Sequence, residues 1–160
     1  MKKLNPTNAK KIAFAISKKI QPPEQRDFFL IHSQKVVNIS KLIAKKINFG
    51  RDIFEIAGWI HDIGYSKNIK THSRHTIPIL HDLGYEIDNI LKDCILNHGS
   101  DKKPKTIEGK IFQLADKLSI FDYDLLKIIL QQETFPPSKE TIAFLKTMSE
   151  NSLKLLKNFN

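Results

Sequence analysis

Apolar residues recur at three- and four-residue spacing along most of the chain and period-two alternation is nearly absent, so the pattern predicts helices throughout. Pro and Gly cut the chain into helix-length pieces, with no internal repeat, low-complexity tract or long linker. Asn5-Pro6 reads as an N-cap followed by proline at the first helical position, opening a helix over about 6–20 that Gln21-Pro22-Pro23 ends. A second helix, from Glu24 to about Asn48, sets Phe29, His32, Val36, Ile39, Ile43 and Ile47 on one stripe, with Gly50 at a left-handed C-cap. A third opens at Asp52 with Ile53, Ile56, Ala57 and Ile60 inward, and Gly64 stops it just after His61-Asp62. Thr71 is placed to cap a fourth running to Gly84, and Asp88 a fifth carrying Ile90, Leu91, Cys94, Ile95 and His98. A sixth holds Ile107, Ile111, Leu114, Ala115 and Leu118, with Asp116 inside it; two more, about 123–132 and 138–156, flank a break at Pro136-Pro137. The expected architecture is all-α, a compact bundle of about seven or eight helices.

Length and composition fit one domain over residues 1–160, its core over about 24–121, with the N-terminal and C-terminal helices packed on it. A single cysteine, Cys94, excludes an intrachain disulfide scaffold. The basic start has no apolar h-region, and no apolar run approaches the roughly 18 residues of a membrane span, so a soluble, cytoplasmic protein with no membrane partner is expected. The net charge of +9 comes from 26 basic and 17 acidic residues, and only Arg26, Arg51 and Arg74 are arginines. Lysine pairs recur where helices face water, without the arginine forks and interleaved aromatics common at nucleic-acid sites. The field favours anionic partners: a phosphate-containing small molecule such as a nucleotide first, nucleic acid second.

Five of the predicted helices carry His or Asp on, or at the end of, their inward faces: His32, His61-Asp62, His72, His98 and Asp116. Buried singly, such groups cost several kcal/mol each, so their convergence points to mutual pairing or to a metal. Nitrogen and carboxylate donors suit Zn, Fe and Mn, and an Asp with two oxygens can bridge two ions. Cys94, Trp59 and the phenylalanines read as core, and His81-Asp82-Leu83-Gly84 as an ordinary helix end.

Trp59-Ile60-His61-Asp62-Ile63-Gly64 resembles the signature of the HD-domain metal-dependent phosphohydrolases. The other ordered pieces are Leu30-Ile31-His32-Ser33, His72 to Gly84, Ile95-Leu96-Asn97-His98 and Leu114-Ala115-Asp116-Lys117-Leu118, so the resemblance covers about residues 28–121. It implies one metal held by His32, His61, Asp62 and Asp116, and a second held by Asp62 as bridge with His72 and His98. The ions implied are divalent Fe, Mn, Co, Ni or Zn. The implied reaction is hydrolysis of a phosphoester or phosphoanhydride by activated water, with Asp62 at the catalytic centre. His75 or Lys67 is then a candidate proton donor, and Arg74, Lys67 and Lys117 are candidate substrate-phosphate contacts. Two departures stand out: Tyr65 occupies the place where many members have Lys, and Thr76-Ile77 followed by Pro78 replaces a small Gly-Ala pair, so the fourth helix is expected to pack or bend differently. Rival expectations are a nucleotide- or RNA-binding regulatory module without catalysis and, among enzymes, a mononuclear 5′-nucleotidase that needs neither His72 nor His98.

Overall fold

The computed structural model describes residues 2–50, 52–131 and 138–157, and it is built almost entirely from helices. In chain order these are α1 (Pro6–Ser17), α2 (Pro23–Lys46), α3 (Asp52–Ile60), α4 (His72–Asp82), α5 (Asn89–Leu96), α6 (Ile107–Ser119), α7 (Tyr123–Gln131) and α8 (Lys139–Lys157). Short 3-10 turns at Ile63–Ser66 and Ile69–Thr71 join α3 to α4. The predicted end at Gln132 and the Pro136-Pro137 break lie outside the described residues.

The caps explain most boundaries. Asn5, Asp88 and Thr106 each accept a hydrogen bond through the side chain from the third backbone N–H beyond, opening α1, α5 and α6. Thr71 precedes α4 without capping it; instead Asn68 Oδ1 accepts from the Thr71 N–H at 3.1 Å. The left-handed residue after α2 is Asn48, at φ 54°, and not Gly50. The expected stripe of α2 is also rotated: Phe29, His32 and Val36 are buried, but Ser33, Val37, Ser40 and Ala44 complete the inner face while Ile47 is 49% exposed. Two residues of parallel pairing, β1 (Lys2–Lys3) with β2 (Tyr85–Glu86), are too short to leave an alternating pattern in the sequence.

The long helix α2 lies at the centre, between α3 and α6; α1 packs on α3, α5 on α6 and α4, and α8 on α6. Gly58 permits the α2–α3 approach, since a Cβ there would sit 3.0 Å from the Val37 backbone nitrogen. The helix α3 is buried on nearly every side, from Phe54 through Ile60, so it runs through the core and delivers the residues that follow it to the interior. Among the described residues no helix is long and apolar enough to cross a membrane.

Candidate metal centre

His32 sits mid-way along α2, His61-Asp62 directly beyond the last turn of α3, His72 at the first position of α4, His98 two residues past α5, and Asp116 within α6. The turn after Asp62 is pressed against α4 because residue 64 lacks a side chain: a Cβ on Gly64 would overlap the His72 carbonyl. Thr76 fastens the same seam, its hydroxyl donating to the His61 carbonyl at 2.9 Å and accepting from the Gly64 N–H at 3.3 Å. That contact is what the Thr in place of a smaller residue does here.

The side chains converge on two carboxylates. Asp62 Oδ2 lies 3.2 Å from His61 Nε2 and 3.6 Å from His32 Nε2, while Oδ1 lies 3.0 Å from His72 Nε2 and 3.5 Å from His98 Nε2. Asp116 Oδ1 lies 3.0 Å from His32 Nε2 and 3.5 Å from His61 Nε2, and its Oδ2 meets the Lys117 ammonium. The histidines and aspartates are all buried except His72, which is partly open. Phe112 and Tyr65 stand edge-on to His61 and His72, at 5.3 and 4.6 Å between centroids, and Phe28 stacks on His32 at 5.7 Å.

The other ring nitrogen of each histidine decides what the cluster can hold. His61, His72 and His98 donate through Nδ1–H to the carbonyls of Gly58, Ile69 and Ile95, at 3.1, 2.6 and 2.7 Å. Ser119 spends its proton on the Asp116 carbonyl at 2.7 Å, so its oxygen accepts from His32 Nδ1–H at 3.0 Å. In the neutral imidazoles every Nε2 is therefore a lone pair. Two such pairs face each other, His32 with His61 at 3.2 Å and His72 with His98 at 3.1 Å, and Asp62 Oδ1 is buried without a hydrogen-bond donor. Converging lone pairs and carboxylates call for a cation, and the donors of His32, His61 and Asp116, and of His61, Asp62 and His98, lie close enough together to hold a metal ion. The donor set thus fits a divalent metal.

The titration behaviour carries the same demand. Burial pulls the His61 pKa down, but the Asp62 charge and hydrogen bonds to Asp116 and Asp62 overcome it and raise it to about 10. Burial opposes ionisation of Asp62 and Asp116 too, yet the His61 charge beside the first and the Lys117 ammonium beside the second hold both well below the usual carboxylate range. At His98 burial, with the His61 charge beside it, outweighs the pull of Asp62 and Asp116 and lowers its pKa. In the metal-stripped protein the His61 proton is then a stabilising cation, present in full below its ordinary value of 6.5 and lost as pH rises toward 10. Adding a divalent ion at about pH 7.5 should release about one proton per chain, read from calorimetric heats in buffers of different ionisation enthalpy; zero release would contradict this arrangement.

A cleft of 270 Å³ opens beside His72 and His98, and Arg74, Lys70, Asp101 and Lys102 line it. Lys117 touches the cluster through Asp116. Lys67 is exposed on the turn after Gly64, and His75 Nε2 meets the Thr71 hydroxyl at 3.0 Å; neither is among the cleft's lining residues. Cys94 and Trp59 are core, as expected, and His81 is exposed.

Several positioning residues escape sequence reasoning, although Thr76 is marked by its departure from the small pair. Asp93 accepts from the Lys105 and Thr106 N–H groups, the Thr106 hydroxyl and the Asn97 amide, and Gln113 Nε2 donates to the carbonyls of Asn97, Gly99 and Lys102. Together they clamp both ends of the loop that presents His98. A polar Gln113 between Phe112 and Leu114, on the buried side of α6, was the available signal; Asp93, Thr76 and Ser119 carry none at the level of spacing.

A helical bundle enclosing a buried histidine–carboxylate cluster that can hold a metal ion is the class of protein these features define. The chain belongs to the HD-domain family, whose model matches residues 29–120. A deoxyguanosinetriphosphate triphosphohydrolase-like protein of Caldanaerobacter subterraneus subsp. tengcongensis is 30% identical over 139 residues, covering 72% of this chain and 40% of that protein. Ribonuclease Y of Mycoplasma mycoides subsp. mycoides SC is 30% identical over 96 residues, covering 56% of this chain and 18% of that one. The chain thus spans less than half the length of either curated relative. The crystal structure of a predicted HD superfamily hydrolase from an uncultured Thermotogales bacterium superposes with a TM-score of 0.59 at 16% identity, over 93% of this chain and 89% of that one, which supports the shared fold.

Proposed function

We propose that the protein is a cytoplasmic metal-dependent phosphohydrolase that cleaves a phosphoester or phosphoanhydride bond of a nucleotide. One observation carries the reading: the two oxygens of Asp62 face different pairs of imidazoles, His32 with His61 on one side and His72 with His98 on the other. Such a carboxylate suits a bridge, with His32, His61 and Asp116 completing one site and His72 and His98 the other. Divalent ions held by these residues would supply Lewis acidity to a phosphate oxygen and a water whose pKa is lowered toward 7. The remaining work belongs to the chain. Arg74, on the cleft wall, offers a bidentate fork to two non-bridging phosphate oxygens. Phe28, Tyr65 and Phe112 shield the imidazoles from bulk water, and burial with the Asp62 charge pushes the Tyr65 phenol up, so it stays a proton donor beside the cluster. Lys117 holds Asp116 ionised, and Lys67 and His75 stand as candidates at the outer edge for phosphate contact and proton delivery. The name of the deoxyguanosinetriphosphate triphosphohydrolase-like relative supports a nucleotide as the substrate, and that of ribonuclease Y supports a phosphodiester of the same chemistry in RNA.

The test is metal content and turnover together. Protein purified without oxygen or chelator should carry about two ions per chain, among Fe, Mn, Co, Ni and Zn, and should hydrolyse a nucleotide substrate. About one ion per chain with activity on 5′-mononucleotides would replace the bridged centre by a mononuclear one. No turnover on mononucleotides, dinucleoside polyphosphates, cyclic dinucleotides or bis(4-nitrophenyl) phosphate after loading with manganese or iron would end the enzymatic reading.

A further inference from the structure

Beside the cleft at His72 and His98 lies a second cavity of 520 Å³, bounded by the 100–104 loop, α6 and α8. The two share Asp101 and Lys102, so they are neighbours across one wall. Four lysines line the second cavity, Lys102, Lys103, Lys110 and Lys154. Lys102 is occupied by Asp101 at 2.7 Å, whereas Lys103, Lys110 and Lys154 have no ion-pair partner among the described residues. Three uncompensated ammonium groups around one concavity set a field for an anion with more than one charge. Pro104 and Leu155 add apolar surface and Asn151 an amide, the combination that a heterocyclic ring attached to phosphates would use. The volume falls within the range of about 300 to 1,000 Å³ usual for small-molecule sites. The wall itself is stiff, since Gln113 ties the carbonyls of Gly99 and Lys102 to α6, and Asp93 ties residues 105 and 106 to α5. One wall of the groove, Asn151, Lys154 and Leu155, comes from α8, outside the stretch 29–120 that matches the family.

We infer that this lysine groove is a second nucleotide subsite, holding the phosphates and ring on one side of a scissile phosphate that sits at the His/Asp cluster. The inference rests on the proposed hydrolase reading for what happens to the ligand, but not for whether the groove binds it. The substrate class it selects is a nucleotide joined through its phosphates to a second nucleotide, in preference to a mononucleotide.

The test uses the full chain and a Lys110→Glu/Lys154→Glu variant, one change on each side of the groove. Diadenosine tetraphosphate is the extended probe and bis(4-nitrophenyl) phosphate the small one. Titrated in EDTA, where no turnover occurs, diadenosine tetraphosphate should bind the variant about tenfold or more weakly, while a Lys18→Glu/Lys19→Glu control of equal charge binds as the parent does. With metal restored, KM for that probe should rise by about the same factor at nearly unchanged kcat, and hydrolysis of the small probe should not move. A Lys110→Ala/Lys154→Ala variant, checked by circular dichroism, guards against a folding defect of the charge reversal. Equal affinity in parent and groove variants, an equal loss in the Lys18/Lys19 control, or no parent binding up to millimolar probe would each overturn the subsite. So would loss of single-stranded oligonucleotide binding without loss of the tetraphosphate. If the parent binds the probe through these lysines yet hydrolyses nothing, the subsite stands and the hydrolase reading alone falls.

Discussion

Asp62→Ala protein should come off a chelator-free purification nearly metal-free and with nucleotide hydrolysis reduced by at least about 10⁴-fold. The size follows from what the proposed centre supplies. Lowering the pKa of water from 15.7 to about 7 raises the hydroxide fraction at neutral pH by about eight orders of magnitude, and even after allowance for a weaker nucleophile most of the acceleration depends on it. Among the described residues Asp62 is the one carboxylate with an oxygen toward each imidazole pair, so its loss removes a donor from both halves at once. His72→Ala should behave differently, lowering the metal count by about one per chain and leaving the His32, His61, Asp116 half intact. Elemental analysis of the three proteins separates the cases. Parental metal content in Asp62→Ala, or equal losses in Asp62→Ala and His72→Ala, would refute the bridging role.

The helices were legible because burial in this fold is organised by helical period, and the caps at Asn5 and Asp88 and the proline after Asn5 are local signals that the backbone obeys. The cluster was legible for a different reason. Polar residues on predicted apolar faces are costly unless they meet, so His32, His61, Asp62, His98 and Asp116 could be placed together from the sequence, and the structure brings each of the three histidines within 3.5 Å of an Asp62 or Asp116 oxygen. What stayed hidden depends on contacts between segments distant in sequence. Ser119 fixes the ring of His32 across 87 positions, and Asp93 holds Thr106 across 13, with no spacing rule to announce either. Period alone cannot say which of two adjacent columns of α2 is the more buried: Ser40 and Ala44 are buried, while Ile39 and Ile43 stay partly exposed. His75, a candidate proton donor from its place beside His72, lies three residues past it with its Nε2 at the Thr71 hydroxyl.

Gly64→Ala tests how far the centre depends on backbone packing, apart from any ligand chemistry. The added methyl would overlap the His72 carbonyl, which is fixed by the first turn of α4, so backbone and not a flexible side chain has to yield. The seam is closed further by Thr76, whose two hydrogen bonds to His61 and Gly64 would stretch with it. A cost of about 3 kcal/mol is expected, a fall in Tm of about 6 to 12 °C for a chain of this size. Gly50→Ala is the matched control, since nothing lies within 4 Å of its Cβ and its φ is not positive, and it should stay within about 0.5 kcal/mol of the parent. The displacement also has a direction. Pushing α4 away from the turn withdraws His72 from Asp62 Oδ1 while leaving α2 and α6 in place, so the His72–His98 half of the cluster should lose metal first and the His32–His61–Asp116 half should keep it. Equal Tm values for the two glycine variants would show that the seam relaxes freely, and then the proximity of His72 to Asp62 would owe nothing to Gly64.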